Sequence, residues 1–290
     1  MLSLHTNFAS LSAQNSISNT QSKLSTSMTR LSTGFRVNSA MDDAAGLQIA
    51  TRLKAQTSGM TVAMSNTQNS TSMLQTAEGA FAEVTNMLVR MKDLATQAAD
   101  ASSSTDDKKA MQAEYDALGT ELYNVMTNTT FGGTKLLGNG VAGNGTLSTS
   151  MTFQIGASSS EKMSFDVSTN ISTLNGKLTG LSSNFSATSI TNATELTSSA
   201  NGTIDKLEKA INDVSTVRSA LGAAANRLDH VNNNLSNIST NTKAATGRLM
   251  DTDYATESSN MTSSQMLLQA GTAMLKQSNS MSQMVMSLLQ

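Results

Sequence analysis

The sequence predicts a mainly α-helical protein: an elongated antiparallel helical bundle or coiled coil of paired N- and C-terminal halves, with a small β-hairpin region in the middle. Three observations predict this class. Apolar residues recur at steps of three and four along both halves of the 290-residue chain, which is the period of a coiled coil. The chain has 0 Pro, which suits long helices because proline breaks them. Aromatic residues are 3 %, too few for a thick globular core.

Composition narrows the classes of function. With 0 Cys, neither a disulfide framework nor a thiolate metal site is expected, and no cofactor is predicted. The net charge of −2 gives no attraction to nucleic acid or to an anionic membrane. No run of 18 apolar residues exists, so no membrane span is expected. No Lys or Arg precedes Lys23 and no continuous apolar run begins the chain, so a Sec-type signal peptide is not expected.

Residues 2–33 are predicted to form an amphipathic helix that ends at Gly34, a natural C′ residue. The opposite face is almost uncharged Ser, Thr, Asn and Gln, so the isolated helix would be marginal in water. We favour a helix that orders on meeting partners over an ordinary surface helix. Its apolar positions are Leu4, Phe8, Leu11, Ile17, Leu24, Met28 and Leu31.

A connector follows at residues 35–43, and Asp42 and Asp43 stand where the next helix begins. Acidic residues favour the dipole at that end of a helix. A catalytic carboxylate pair is the alternative, but no His, nucleophile or group of metal ligands accompanies it.

The next helix is predicted over residues 44–99, and it carries the clearest apolar seam in the chain. After a turn at residues 100–104 a second helix should return as an antiparallel neighbour. The first seam consists of Ala77, Phe81, Val84, Leu88, Met91, Ala95 and Ala98, and the second of Met111, Tyr115, Leu118, Leu122 and Val125.

Residues 131–195 change character and predict a small region of β-hairpins. FGGTKLL, MTFQIGA and KMSFDVS contain strand-like pieces bounded by Gly, Asn and Ser. Gly138, Gly140 and Gly143 match the spacing of a dinucleotide fingerprint, but that motif requires a helix immediately afterwards, so we interpret them as a turn-rich loop.

Helix is predicted again over residues 196–249, followed by a break at 251–255 and a low-charge helix over 256–290. The first of these carries a seam from Ile204, Leu207, Ile211 and Val214 onward, with one slip in phase before Val217. The last helix carries two heptad stripes that need burial against several neighbours, and its methionines suit packing that adapts in shape. The stripes are Leu267, Met274, Met281 and Leu288, and beside them Met261, Leu268, Leu275 and Leu289.

The chain resembles the bacterial flagellins over roughly its first 180 and last 90 residues. The resembling stretches are SLHTNFASLSAQNSI, LSTGFRVNSAMDDAAGLQIATRLKAQTSGM, LQTAEGAFAEVTNMLVRMKDLATQAA, FGGTKLL, FQIGA and TDYATESSNMTSSQMLLQAGTAMLKQSNSMSQMVMSLLQ. Within that family, a hook–filament junction protein is the alternative. The SLL ending and the intact TGFRVNSAMDDAAGL stretch favour a flagellin.

The resemblance implies a structural subunit that polymerises into an extracellular flagellar filament. Residues 1–42 with 252–290 would form the inner-tube domain D0, and residues 43–251 the domain D1, without the outer domains of larger relatives. Implied partners are further copies of the chain, an export chaperone of the type III apparatus, the filament cap protein and the junction proteins. The implied assembly residues are Leu4, Phe8, Leu11, Ile17, Leu24, Leu31, Leu267, Leu268, Met274, Leu275, Met281, Leu288 and Leu289.

The resemblance also implies an animal innate receptor as a partner, through Arg90, Leu94 and Glu114. Val89 stands where many stimulatory members of the family have glutamine.

Two other classes of function fit the sequence less well. An enzyme would have only His5 and His230 as imidazole acid–bases, outside any recognisable constellation. A signalling coiled coil of the chemoreceptor kind would need membrane spans.

Overall fold

The computed structural model describes residues 7–138, 145–185 and 193–288, with the side chains of the last helix described as far as Met281. The predicted class, mainly α with small antiparallel hairpins, is confirmed. In chain order the described elements are α1 (Phe8–Thr33), α2 (Ala44–Ala99), α3 (Thr105–Asn128), β1 (Thr130–Phe131), β2 (Thr134–Lys135), a 3₁₀ helix (Thr146–Ser148), β3 (Met151–Gln154), β4 (Lys162–Phe165), α4 (Ser168–Thr179), α5 (Glu195–Met250) and α6 (Tyr254–Leu288).

The chain divides into two compact units. The terminal unit comprises the described residues up to Thr57 and from Thr240 onward, and the central unit comprises Ser58–Ser239.

In the terminal unit, α1 and α6 pair antiparallel. Asn7 caps the start of α1, where its side-chain oxygen accepts a hydrogen bond from the Ser10 amide at 3.1 Å. Gly34 ends α1 in the left-handed conformation, with φ of 77°, as the sequence predicts. The segment after α1 and the segment between α5 and α6 are joined by backbone hydrogen bonds. The Arg36 amide donates to the Met250 carbonyl, and the Thr252 amide donates to the Gly34 carbonyl.

Asp42 and Asp43 hold backbone amides at the entrance to α2. The Asp43 carboxylate accepts a hydrogen bond from the Gly46 amide at 2.8 Å, which caps the first turn. The Asp42 carboxylate accepts from the Ser39 and Asn38 amides, and these hydrogen bonds lower its pKa. Both carboxylates therefore shape the connector and the helix start.

The core of the central unit is built on the predicted α2 seam, all seven positions of which are buried. Seams of α3, α4 and α5 pack against it in one apolar cluster. Arg218 of α5 pairs with Glu78 of α2, and Glu208 pairs with Lys92, so the two helices run antiparallel. A reciprocal capping box between Ser104 and Asp107 begins α3.

The predicted slip in the α5 seam is wrong. The buried residues follow heptad spacing without interruption because Ala210, rather than Ile211, occupies the inner position. Ile204 and Ile211 lie beside the seam, only partly buried. Residue size misled the sequence reasoning, since a small alanine permits close packing between helices. The uninterrupted seam is Leu207, Ala210, Val214, Val217, Leu221, Ala224 and Leu228.

The middle region contains both predicted hairpins, β1–β2 and β3–β4, but it is not entirely β. Residues 168–179 form α4, which the sequence analysis assigned to the hairpin region. Ile171, Leu174 and Leu178 of α4 are buried in the central core. Their steps of three and four are helical, although the Ser, Thr and Asn between them are weak helix formers. Gly138 adopts a φ of 83°, as a turn requires, while Gly140 and Gly143 lie outside the described residues.

Candidate functional site

The seam between α1 and α6 consists mostly of polar or small residues. On α6 the least exposed positions recur at steps of four and three, so one continuous stripe faces α1. Two of the large apolar residues predicted for α1, Ile17 and Leu24, lie on this seam. The α1 positions are Asn7, Ser10, Ala13, Ile17, Thr20, Leu24 and Ser27, and the α6 positions are Glu257, Met261, Ser264, Leu268, Gly271, Leu275 and Ser278.

Three contacts fix the register of this pair. At one end, the Asn7 side-chain amide donates to the Ser278 hydroxyl at 3.2 Å. In the middle, Ile17 packs over Gly271 so closely that a Cβ at that glycine would lie 2.9 Å from the Ile17 Cγ1.

At the other end of the pair, the Ser27 hydroxyl donates to the buried Glu257 carboxylate at 2.5 Å. The Arg30 guanidinium approaches the second carboxylate oxygen of Glu257 at 3.7 Å. A buried polar contact of this kind specifies alignment more than it adds stability.

Several large apolar side chains of α1 and α6 are left uncovered outside this seam. Phe8 is 70 % exposed, Leu267 62 % and Met274 69 %, and Leu11 and Met281 are also more than half exposed. Leu267, Met274 and Met281 are seven residues apart and form an exposed apolar stripe along α6, and such a stripe marks an interaction surface. We call these five residues the uncovered face.

The two stripes predicted for α6 therefore have different environments. Leu268 and Leu275 lie on the seam with α1, whereas Leu267, Met274 and Met281 belong to the uncovered face. On α1, Leu31 is partly buried. Leu4 and Leu289 lie outside the described residues, and the side chain of Leu288 is likewise not described.

The uncovered face is nearly free of charge. Between Ser258 and Met281 the only charged residue of α6 is Lys276. Burial of a surface without charges avoids the desolvation cost that would oppose association. This face is therefore suited to a dry helix-to-helix contact.

Two of the three receptor-like residues meet on the surface of the central unit. The Arg90 Nε of α2 donates to the Glu114 carboxylate of α3 at 2.7 Å, and both side chains are about half exposed. Leu94, one turn further along α2, is only 3 % exposed and belongs to the core. Val89 is exposed next to Arg90.

A buried polar network in the central unit escaped the sequence analysis. The Gln112 side-chain amide donates to Asp116 at 2.8 Å and to Glu195 at 2.9 Å, and its carbonyl accepts from the Leu196 amide. Burial raises the pKa of the Asp116 carboxyl, and burial also raises the pKa of the neighbouring Tyr115 hydroxyl. The network ties the start of α5 to α3. The spacing of four residues between Gln112 and Asp116 could have predicted their contact on one helix face. The contacts of Gln112 with Glu195 and Leu196 have no such signal in the sequence.

Among the described residues, no group of three or more His, Asp or Glu side chains is placed to hold a metal ion. Within the same parts of the chain, no helix is both long and apolar enough to cross a membrane.

Comparison with known proteins gives consistent matches. Residues 4–142 match the bacterial flagellin N-terminal helical region, and residues 204–289 match the bacterial flagellin C-terminal helical region. The chain is 33 % identical to Flagellin A of Vibrio anguillarum over 386 aligned positions that cover 100 % of both proteins. It is 32 % identical to polar flagellin F of Vibrio parahaemolyticus over 381 positions, covering 99 % of each.

A solved structure shares the fold. It comes from Vibrio parahaemolyticus and is described as a flagellar hook-associated protein; the TM-score is 0.55 at 14 % identity, covering 72 % of this chain and 100 % of that one. The sequence alignments are longer than the 290 residues of this chain, so those relatives contain segments that it lacks.

Proposed function

Because the chain belongs to the bacterial flagellin family and is a structural subunit of the flagellar filament, we propose that the uncovered face of its paired terminal helices joins each copy to its neighbours. The observation that carries the proposal is that polar and small residues make up most of the seam, while large apolar residues such as Phe8, Leu267 and Met274 remain exposed outside it.

Energetics favour this arrangement. Full burial of one Leu, Met or Phe side chain is worth roughly 1.5–3 kcal/mol. Within one subunit that gain is not realised for Phe8, Leu267 or Met274, which stay exposed. In a helical polymer the same gain recurs at every subunit, so a modest face per copy supports a stable filament.

The domain assignment is part of the proposal. Residues 1–42 with 252–290 would act as D0, the inner tube, and residues 43–251 as D1, with no outer domains. The outer domains of larger relatives would correspond to segments that the aligned flagellins contain and this chain lacks. Further partners in the proposal are an export chaperone on the C-terminal helix, the filament cap protein and the junction proteins, with export by the type III route to the cell exterior.

We assign the chain a structural role rather than a catalytic one, and a filament role rather than a junction role. His230 lies exposed on α5, and His5 lies outside the described residues. The relatives compared are named as flagellins, which favours the filament subunit over a junction protein.

Replacement of Leu267 and Met274 by Ser tests the assembly proposal. Sedimentation after seeding should show loss of filaments, while the thermal unfolding of the soluble subunit should stay unchanged because both side chains are already exposed. Val62→Ser is the matched control, since Val62 is an exposed apolar residue of α2 in the central unit. Normal filaments from the double variant would refute the assignment of this face.

Recognition by an animal innate receptor would use the surface around Arg90 and Glu114, with Leu94 supporting α2 from the core. Arg is a frequent hot spot of protein interfaces. In a reporter-cell assay Arg90→Ala should reduce the response to the soluble subunit. The control is Arg218→Ala, which removes another surface Arg–Glu pair, and equal responses from both variants would argue against this site.

A further inference from the structure

The most exposed and the most buried methionines lie in different units. The chain contains 19 Met and 0 Cys, so thioethers are its only oxidisable sulfur groups. Met266, Met274 and Met281 of α6 are each more than half exposed, and Met41 of the connector is 96 % exposed. In contrast, five methionines of the central unit are at most 8 % exposed: Met60, Met91, Met111, Met126 and Met163.

We infer that Met266, Met274 and Met281 form an oxidation-sensitive modification site that decides whether a free subunit can join the filament. The modifying reagent is a peroxide, with hydrogen peroxide as the simplest member of the class. The inference rests on the proposed role of the uncovered face, to which Met274 and Met281 belong and to which Met266 is adjacent in sequence through Leu267, and it adds a chemical control over that role.

The reaction is a two-electron oxygen transfer. The thioether sulfur of methionine attacks one oxygen of hydrogen peroxide, an S–O bond forms, and the O–O bond breaks. The sulfur is oxidised to a sulfoxide, the peroxide is reduced to water, and no other oxidant or reductant is required. Accessibility governs the rate, so the exposed thioethers react before the buried ones.

A sulfoxide at these positions opposes assembly because it places a polar group on a face that becomes buried between subunits. Oxidation converts a flexible apolar side chain into a polar one with a strong acceptor oxygen. Met274 and Met281 share the heptad stripe of Leu267. Between Tyr254 and Met281 the only positively charged side chain of α6 is Lys276. Burial of a sulfoxide oxygen without a donor is unfavourable, and it recurs in every subunit that carries it.

The fold of the subunit should survive the same treatment. The five shielded methionines lie in the central unit, so brief oxidation leaves its core intact. The thioethers of Met266, Met274 and Met281 are exposed and lie outside the seam, whose contacts are Asn7 with Ser278, Ile17 with Gly271 and Ser27 with Glu257. Oxidation therefore separates the ability to assemble from the ability to fold.

The experiment treats the full-length soluble subunit with hydrogen peroxide, stops the reaction with catalase and maps sulfoxides by peptide mass spectrometry. Met41, Met266, Met274 and Met281 should oxidise at least about tenfold faster than the buried methionines. Seeded assembly should then fall at least about tenfold, in line with the sulfoxide content of α6, and methionine sulfoxide reductases A and B together should restore it.

Two variants locate the effect. The triple variant Met266→Leu, Met274→Leu and Met281→Leu conserves volume and hydrophobicity, so it should assemble and remain competent after peroxide. Met41→Leu removes the most exposed methionine outside the helices and should remain sensitive. Should the triple variant assemble poorly before treatment, oxidation and reductase repair of the unmodified chain decide the question alone.

Normal assembly of subunits that carry sulfoxides at all three positions would overturn the inference. Equal peroxide sensitivity of the triple leucine variant would overturn it too. Neither result would touch the assembly proposal, which fails only if the Leu267→Ser and Met274→Ser variant still forms filaments.

Discussion

The terminal and central units use the same helical spacing for opposite purposes. In the central unit α2 places Phe81, Val84 and Leu88 inside, against seams of the same chain, and all three are fully buried. In the terminal unit most inside positions hold polar or small residues such as Ser27 and Ser264, and Leu267 and Met274 face out. A heptad pattern therefore predicts a packed helix without indicating whether its partner belongs to the same chain.

Charged residues also lie in different places in the two units. In the central unit the pairs Arg218–Glu78 and Lys92–Glu208 lie at the rim of an apolar core, where such pairs contribute little. In the terminal unit Glu257 is buried at the seam and bonds to Ser27. The central unit thus gains stability from apolar packing, and the terminal unit gains alignment from polar contacts.

The largest effect on stability is expected when a phenylalanine is replaced by alanine, once in each unit. Phe81→Ala should cost the central unit about 3–5 kcal/mol of unfolding free energy, because it opens a cavity in a sealed core. Phe8→Ala should leave the soluble subunit almost unchanged, since Phe8 is exposed, yet reduce filament yield. Denaturant titration and sedimentation measure the two quantities, and equal losses of stability would remove the contrast between the units.

A smaller effect is expected at the seam of the terminal pair. Glu257→Ala leaves the Ser27 hydroxyl and the Arg30 guanidinium without their partner, so the pair should lose about 1–3 kcal/mol. Glu208→Ala removes an exposed partner of Lys92 and should cost less than about 1 kcal/mol. Hydrogen exchange of amides near each site measures both, and a larger loss at Glu208 would contradict the account.

The smallest effect concerns pH and the buried network of the central unit. Burial raises the pKa of Asp116, so the folded state takes up a proton more readily than the unfolded state. The resulting stability is fully present below the unfolded pKa of about 3.9 and is lost as pH rises through the higher folded pKa. Asp116→Asn should flatten this part of the profile. Thermal unfolding of both proteins across pH 3–7 (roughly the range set by carboxyl pKa values) checks whether stability falls as pH rises. If the profile of Asp116→Asn equals that of the unmodified chain, another group causes the pH dependence.

Sequence reasoning succeeded where apolar residues are large and evenly spaced. The α2 seam is confirmed position by position because Phe81, Leu88 and Met91 leave no ambiguity of phase. It failed where small residues decide the packing, as at Ala210, which carries the α5 seam that Ile211 had been assigned. It also missed α4, whose apolar residues are separated by Ser, Thr and Asn.

The candidate site was predictable in composition but not in orientation. The stripes of α6 could be identified from heptad spacing, yet nothing in the sequence showed that Leu275 would face α1 and Met274 would not. That choice depends on the close approach of Ile17 to Gly271 and on the Ser27–Glu257 contact, both of which join residues more than 200 positions apart. Long-range contacts of this kind lie outside any periodicity argument.

The central claim is that the terminal pair is completed by neighbouring subunits rather than by its own chain. Amide hydrogen exchange, recorded on the soluble subunit and on the filament, tests it most directly. We predict weaker protection of residues 8–33 and 254–281 in the subunit than in the filament, with residues 74–98 protected to the same extent in both. Equal protection of the terminal helices in the two states would contradict the claim, because the pair would then be complete within one chain.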